Sequence, residues 1–284
     1  MNDHPAVTGS TSNTALTHEL QIALDAVALA SARIMNDYAT FVAIPDAPVS
    51  ISTDTDRASQ DIIIQHLAQH FPGDAFCAEE ATTSLAQASK TGARVWIIDP
   101  IDGTRGFAMK NGEFSVMVGL VIAGEIEVAV VGEPARARIT FASRGKGCWV
   151  RHGNSDAIKC QVTTTGKMAD ATLVQSHVKP GRPDPVVTAF QPAKCVETYS
   201  AGVKLAMVAR GEVDLYVNTY SQFADWDICA GHHLVVEAGG KVSELSGRPV
   251  TYGKPGYAQK GGLLATNGVL HPEAISLLAT AGHD

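Results

Sequence analysis

The stretch Trp96-Ile97-Ile98-Asp99-Pro100-Ile101-Asp102-Gly103-Thr104 decides how this chain is read. Arg94 to Ile98 is a β-branched run that reads as a buried strand, and it ends on a carboxylate where a turn is expected. Pro100 suits position i+1 of a β-turn, which predicts Asp99 and Asp102 at the turn's ends with Cα atoms under about 7 Å apart. Two carboxylates that close repel each other unless a cation neutralises them, and hard oxygen ligands select Mg²⁺ or Mn²⁺ over softer metals. Gly103 and Thr104 then offer backbone N–H groups and a hydroxyl suited to a phosphate oxygen. Asp, Pro and Gly are also ordinary loop residues, so the weight of the motif depends on which other acids accompany it.

Three further sets of acids stand at the ends of expected elements. Glu79-Glu80 closes the apolar run Phe76-Cys77-Ala78, and Asp227 follows Trp226 where a helix from Ile228 to Ala238 should begin, stopped by Gly239-Gly240. Asp56 ends the cluster Thr53-Asp54-Thr55-Asp56, ahead of the helical period Ile63, Leu67, Phe71. Asp56 or Asp227 alone reads equally well as a first-turn acid. Several such carboxylates, each near Gly or Thr, favour one shared cation site.

Around these motifs, Leu20, Leu24, Val27 and Ile34 mark an amphipathic helix ending near Asn36. Phe114 to Ile122 with Ile126 to Val131, and Ile139 to Ala142 with Cys148 to Val150, read as antiparallel hairpins. Further on, a helix from Gly202 to Arg210, a strand over Val213 to Val217 and a strand over Lys241 to Leu245 suggest a layered second half. The polar stretch Arg151 to Lys167 is the expected boundary. It divides the chain into an N-terminal α+β domain, residues 1–158, carrying most of the acids, and a C-terminal α/β domain, residues 159–284, supplying Asp227 and substrate contacts.

With 284 residues the chain can bury a large core, and a formal charge of −7 disfavours nucleic-acid polymers and anionic membranes as partners. The longest apolar stretch, Val116 to Ala123, is too short for a membrane span, and Met1 to Leu20 reads as a polar leader rather than a secretory signal. Five widely spaced cysteines without a C-x-x-C pair fit reduced thiols and a cytoplasmic location.

The combination of D-P-I-D-G-T with a distant W-D…E-A-G-G resembles the inositol-monophosphatase-like superfamily of Mg²⁺-dependent, lithium-sensitive phosphatases, over roughly residues 50 to 245. The resemblance implies a layered αβαβα sandwich of α/β class, shared with fructose-1,6-bisphosphatases. It implies that Glu79, Asp99, the backbone carbonyl of Ile101, Asp102 and Asp227 bind two or three Mg²⁺ ions, with Mn²⁺ as a substitute and Li⁺ as an inhibitor. Asp56 would pair with Thr104 to orient and deprotonate the attacking water, with Glu79 assisting. Asp102, Gly103, Thr104, Lys204 and Asp227 would contact a small phosphorylated metabolite, and a homodimer is expected.

Within the superfamily, Asn111-Gly-Glu-Phe-Ser-Val116, Ser200-Ala-Gly-Val-Lys204, Ala209 to Asp214 and Asp225 resemble 3′(2′),5′-bisphosphate nucleotidases of the CysQ type, which implies adenosine 3′,5′-bisphosphate as substrate. Gly103-Thr-Arg105-Gly106-Phe107 departs from the G-T-K-E-F of that branch, and Arg105 resembles the histidinol-phosphatase version. Pro48 also lies farther from Asp56 than the family's spacing, and the usual upstream lysine is missing. Inositol phosphate, histidinol phosphate and fructose 1,6-bisphosphate remain alternative substrates, and a non-catalytic phosphate-ester binder is the alternative class. Two smaller motifs have ordinary readings. His232-His233 with Glu237 could bind zinc but has no third ligand at a zinc spacing, and Ser143-Arg-Gly-Lys-Gly147 reads as a hairpin turn more readily than as a phosphate nest. Trp96 and Trp226 read as packing anchors.

Overall fold

A computed structural model of the chain describes residues 17–48, 50–178, 181, 184–220, 223–253 and 256–282. Most of the leader expected over Met1 to Leu20 lies outside these residues. Its last part is helical, since α1 (His18–Thr40) begins with Thr17 as N-cap, whose side chain accepts the Leu20 N–H at 3.2 Å. α1 continues past Asn36 because the polar Arg33 and Asp37 pair at 2.8 Å on its surface, one turn apart, and do not interrupt it. In α2 (Asp54–His70), Thr53 is the N-cap and Asp56 the third helical residue of a capping box, with Thr53 N donating to Asp56 Oδ2 at 2.9 Å.

Next come β1 (Ala75–Ala78), α3 (Thr83–Gln87), β2 (Arg94–Asp102), α4 (Thr104–Ala108), β3 (Ser115–Ile122), β4 (Glu125–Glu133), β5 (Arg138–Ser143), β6 (Gly147–His152) and β7 (Ile158–Lys159). These seven strands pair in chain order, β1 parallel to β2 and the rest antiparallel. β7 falls inside the polar stretch Arg151 to Lys167, so part of that stretch completes the first sheet. The second half contributes β8 (Thr172–Gln175), α5 (Pro185–Phe190), β9 (Lys194–Glu197), α6 (Ala201–Ala209), β10 (Leu215–Asn218), β11 (Phe223–Ala224), α7 (Asp225–Glu237), β12 (Lys241–Ser243), β13 (Ala258–Gln259), β14 (Leu263–Thr266) and α8 (His271–Thr280). Its main sheet runs β12-β14-β10-β8-β9, while β11 and β13 form a separate pair.

Burial orders these elements into five layers. α1 and α2 cover one face of the first sheet through Ile34, Ile63, Leu67, Trp96 and Phe114. α6 and α7 fill the space between the two sheets, where Leu205, Ala206, Leu234 and Val235 meet Val131 on one side and Tyr216 on the other. α5 and α8 close the far face of the second sheet through Phe190, Leu270 and Leu278. The αβαβα sandwich of α/β class is therefore the observed architecture. Each buried Ile, Leu or Phe in these interfaces contributes about 1.5–3 kcal/mol relative to exposure.

One local expectation is corrected. Asp99 and Asp102 do not bracket a turn, because β2 continues through Pro100 to Asp102. Asp99 stands opposite Met117 and Asp102 opposite Ser115, so β2 carries one extra residue there, as in a β-bulge. Proline has no N–H to give a ladder and is tolerated at such irregularities. The bulge re-aims the carboxylates at the end of the strand, where the turn had been expected to do so.

Candidate active site

The end of β2, the start of α2, the end of β1 and the N-terminus of α7 meet at one place. Asp99 is 1% exposed, and burial first, then the charges of Glu79, Asp102 and Asp227, raise its pKa well above the carboxylate range. Glu79 still meets solvent but hydrogen-bonds Asp99, and desolvation followed by the charges of Asp227 and Glu80 pushes its carboxyl up to about 8. Asp227 is pushed up to about 7 by burial, with Asp102 and Asp225 adding to the effect. Its carboxylate accepts the Ala224 N–H, so it caps α7 as a first-turn acid would. Asp56 is also raised, chiefly by burial, while hydrogen bonds from Thr53 and Thr104 oppose the shift.

Among the described residues, no Lys or Arg forms an ion pair with Asp56, Glu79, Asp99, Asp102 or Asp227. Asp99 Oδ1 is buried with no hydrogen-bond partner. A buried, partnerless carboxylate oxygen among like charges is the signature expected of residues that hold a cation, and an all-oxygen donor set suits Mg²⁺. The residues therefore fit a magnesium site. Among the described residues no three acidic, histidine or cysteine side chains already form a closed metal cage. Asp56, Asp102 and Asp227 instead accept from neighbouring donors, as electrostatics favours for crowded anions.

Asp102 illustrates this turning. Its Oδ2 accepts from Gly202 N at 2.7 Å, from Ser115 Oγ at 3.2 Å and from Ser200 Oγ, while its Oδ1 accepts from Ala201 N at 3.2 Å. The N-terminus of α6 thus holds a carboxylate of the first sheet, a favourable place for negative charge. Ser115 and Ser200 lie in the stretches Asn111 to Val116 and Ser200 to Lys204, but the sequence assigns neither a role at the acids. Ser200, as an N-cap three residues before the apolar Val203, carried a readable signal, whereas Ser115 did not.

The Thr104 hydroxyl has two acceptors within reach, Asp56 Oδ1 at 2.8 Å and the Ile101 carbonyl at 2.9 Å. Gly103 before it has φ +84, and a Cβ there would lie 2.8 Å from the Glu113 carbonyl oxygen. Only glycine fits this left-handed position without strain. Lys204 is brought near Asp102 but does not open onto the surface. It is 1% exposed, and its ammonium donates to Ser176 Oγ at 3.0 Å and the Tyr199 carbonyl at 3.1 Å. Burial lowers its pKa to about 8. A direct contact between Lys204 and substrate is therefore not what this arrangement offers.

A second group of side chains stands beyond Asp102, and Arg105 and Glu113 are the only ones of them that the sequence motifs contain. His177 bridges Glu113 at 2.7 Å and Glu197 at 3.2 Å, and its ring lies 4.3 Å from that of Tyr199, with the Arg105 guanidinium 5.0 Å from the Tyr199 ring centroid. Glu113 also accepts the Tyr199 N–H at 3.2 Å, next to Ser200. The minor motifs take their ordinary readings. Glu237 accepts the N–H groups of Gly145 and Gly147 at 2.9 and 2.8 Å, so the expected hairpin turn binds the chain's own carboxylate. His232 instead pairs with the Tyr252 hydroxyl at 2.6 Å, so His232 and Glu237 of the three zinc-motif side chains face different partners. Trp96 is buried, with its Nε1 donating to Asp74 Oδ2 at 2.9 Å, and Trp226 packs near the Tyr257 ring.

The chain is similar to known proteins in sequence and fold. A histidinol-phosphatase of Mycobacterium tuberculosis is 31% identical over 230 residues, covering 80% of this chain and 84% of its own length. A fructose-1,6-bisphosphatase/inositol-1-monophosphatase of Thermotoga maritima is 30% identical over 235 residues, covering 80% and 82%. The solved inositol monophosphatase of Anabaena superposes with a TM-score of 0.75 at 26% identity, covering 92% of this chain and 95% of that one. The model of the inositol monophosphatase family matches residues 15–283, and the chain belongs to that family of phosphatases.

Proposed function

We propose that this chain is a Mg²⁺-dependent phosphomonoesterase that hydrolyses a small phosphorylated metabolite by attack of water. The observation that carries the reading is the Thr104–Asp56 hydrogen bond together with the buried Asp99 carboxylate, whose Oδ1 has no hydrogen-bond partner. Glu79, Asp99, the Ile101 carbonyl, Asp102 and Asp227 would hold two or three Mg²⁺ ions. Bound there, the metal would supply an acidified water and charge stabilisation at the phosphoryl oxygens. The protein's own part follows from the residues. Thr104 orients the water, Asp56 Oδ1 takes its proton through the Thr104 hydroxyl, and Glu79 offers a second acceptor. The backbone N–H groups of Gly103 and Thr104 face the phosphate. Mn²⁺ would substitute, Li⁺ would inhibit, and a cytoplasmic homodimer is the expected form.

Two substrate readings follow. The bisphosphate-nucleotide motifs Asn111 to Val116 and Ser200 to Lys204 favour adenosine 3′,5′-bisphosphate, which needs a cation for its second phosphate. The buried Lys204 is poorly placed for that role; Arg105, whose guanidinium lies 5.0 Å from the Tyr199 ring centroid, is the candidate favoured here. Glu113 and Glu197, with Tyr199 between them, favour instead an ester carrying a positive charge, as histidinol phosphate does, and a relative bears the histidinol-phosphatase name. Phosphate release from adenosine 3′,5′-bisphosphate, histidinol phosphate, inositol 1-phosphate and fructose 1,6-bisphosphate tests both. Mg²⁺-dependent turnover of any one of them, lost in Asp102→Asn, supports the enzyme. Tight binding by calorimetry with no phosphate release from any of them would instead make the chain a non-catalytic binder.

A further inference from the structure

We propose that Cys148 and Cys160 form a reversible disulfide under hydroperoxide, a modification site at the edge of the first sheet remote from the carboxylate cluster. Trp149 pairs with Lys159 and Val150 with Ile158, so the same register sets Cys148 directly opposite Cys160. Cys160 N donates to the Cys148 carbonyl at 2.8 Å, which continues the ladder by one step. Residues opposite each other in a hydrogen-bonded antiparallel pair have Cα atoms about 5.5 Å apart, inside the roughly 4.4–6.8 Å range of disulfides.

The pair is chemically asymmetric. Cys160, 5% exposed, faces the guanidinium groups of Arg210 and Arg138, while Cys148 is fully buried. The neighbouring Cys148 thiol, with the charges of Arg210 and Arg138, favours the Cys160 thiolate against the opposing effects of burial and Glu212, which makes Cys160 the attacking sulfur. Its sulfur attacks one peroxide oxygen, the O–O bond breaks, and the other oxygen leaves as water or alcohol after taking a proton. The Cys148 sulfur then attacks the Cys160 sulfenic acid; the S–S bond forms, the S–O bond breaks, and hydroxide leaves as water with the Cys148 proton. Two electrons pass from the two sulfurs to the peroxide. β7 is a two-residue edge strand, so the cover over this pair is short. Side chains on hydrogen-bonded pairs stand wider than disulfide geometry prefers, so the bridge is strained and readily reduced.

The test uses the whole protein with Cys195→Ser, because Cys195 is the exposed cysteine and could form bridges between molecules. After hydrogen peroxide treatment, intact mass should fall by two hydrogens, and non-reducing peptide mapping should find the 148-bearing and 160-bearing peptides linked. Dithiothreitol should restore both thiols to alkylation. The proposal is overturned if Cys148 and Cys160 stay reduced while peroxide acts elsewhere, or if Cys160 runs on to sulfinic acid with Cys148 still a free thiol. Because the mapping needs no substitution at either cysteine, a folding defect cannot obscure the result.

Discussion

The Thr104 hydroxyl stands 2.8 Å from Asp56 Oδ1, joining the residue after the β2 bulge to the first turn of α2 across 48 positions of sequence. If this pair carries the water's proton, Thr104→Ala should lower kcat by about 10²–10⁴ fold, the ordinary range for losing a positioned acid–base group. Thr104→Ser keeps the hydroxyl and should keep most of the rate. Phosphate release at saturating substrate measures both, with circular dichroism checking the fold. An alanine variant as fast as the parent would remove Thr104 from the mechanism.

Gly103 is the second sharp prediction. At φ +84, an added Cβ meets the Glu113 carbonyl at 2.8 Å and the Ser200 Cα at 3.2 Å. Gly103→Ala therefore combines a left-handed penalty of roughly 1–2 kcal/mol with a backbone clash. The unfolding midpoint should fall by at least about 2–4 °C for a chain of this size. Phosphate release should fall with it, because Glu113 and Ser200 both move. Calorimetric melting alongside the parent checks the first effect.

Without metal, the acid cluster gives stability a definite pH dependence. Glu79 is pushed from 4.5 up to about 8 in the folded chain, so between those values the folded state holds a proton that the unfolded state has released. The folded state then binds more protons, and its stability falls as pH rises through that window. In chelator, the midpoint should be lower at pH 8 than at pH 5.5, and Glu79→Gln should shrink the difference. Added Mg²⁺ should raise the midpoint most at pH 8, where the carboxylates are ionised and free to bind it. An unchanged pH slope in the glutamine variant would sink the assignment.

Much of the candidate site is legible because carboxylates at strand and helix ends leave a linear trace. Asp99, Asp102, Glu79, Asp56 and Asp227 could all be named before any geometry was known. What could not be read was how β2 presents them, since a bulge across Pro100 and a turn at Pro100 share one sequence signature. The placement of Lys204 is not legible in the sequence for a similar reason. A lysine inside the apolar run Val203 to Val208 gives no sign of which way its ammonium points, and it points inward to Ser176 and Tyr199. In the second half, β8, β9, β11, β13, β14, α5 and α8 escaped notice, the strands because runs of two to four residues are too short to show a period.

The choice between substrates rests on Glu197, which is partly exposed and holds His177 Nδ1 at 3.2 Å. If this carboxylate favours a positively charged leaving alcohol, Glu197→Gln should lower kcat/KM for histidinol phosphate and leave inositol 1-phosphate nearly unchanged. An exposed ion pair is worth about 0.2–1 kcal/mol, so the selectivity should shift by roughly 1.4- to 5-fold, and more salt should erode it. For adenosine 3′,5′-bisphosphate the same change removes a repulsion and should raise kcat/KM by a similar factor. Steady-state kinetics on the three esters at two ionic strengths measures this. If the variant lowers all three esters equally, Glu197 acts on the fold of the rim through His177, and charge recognition by this residue is ruled out.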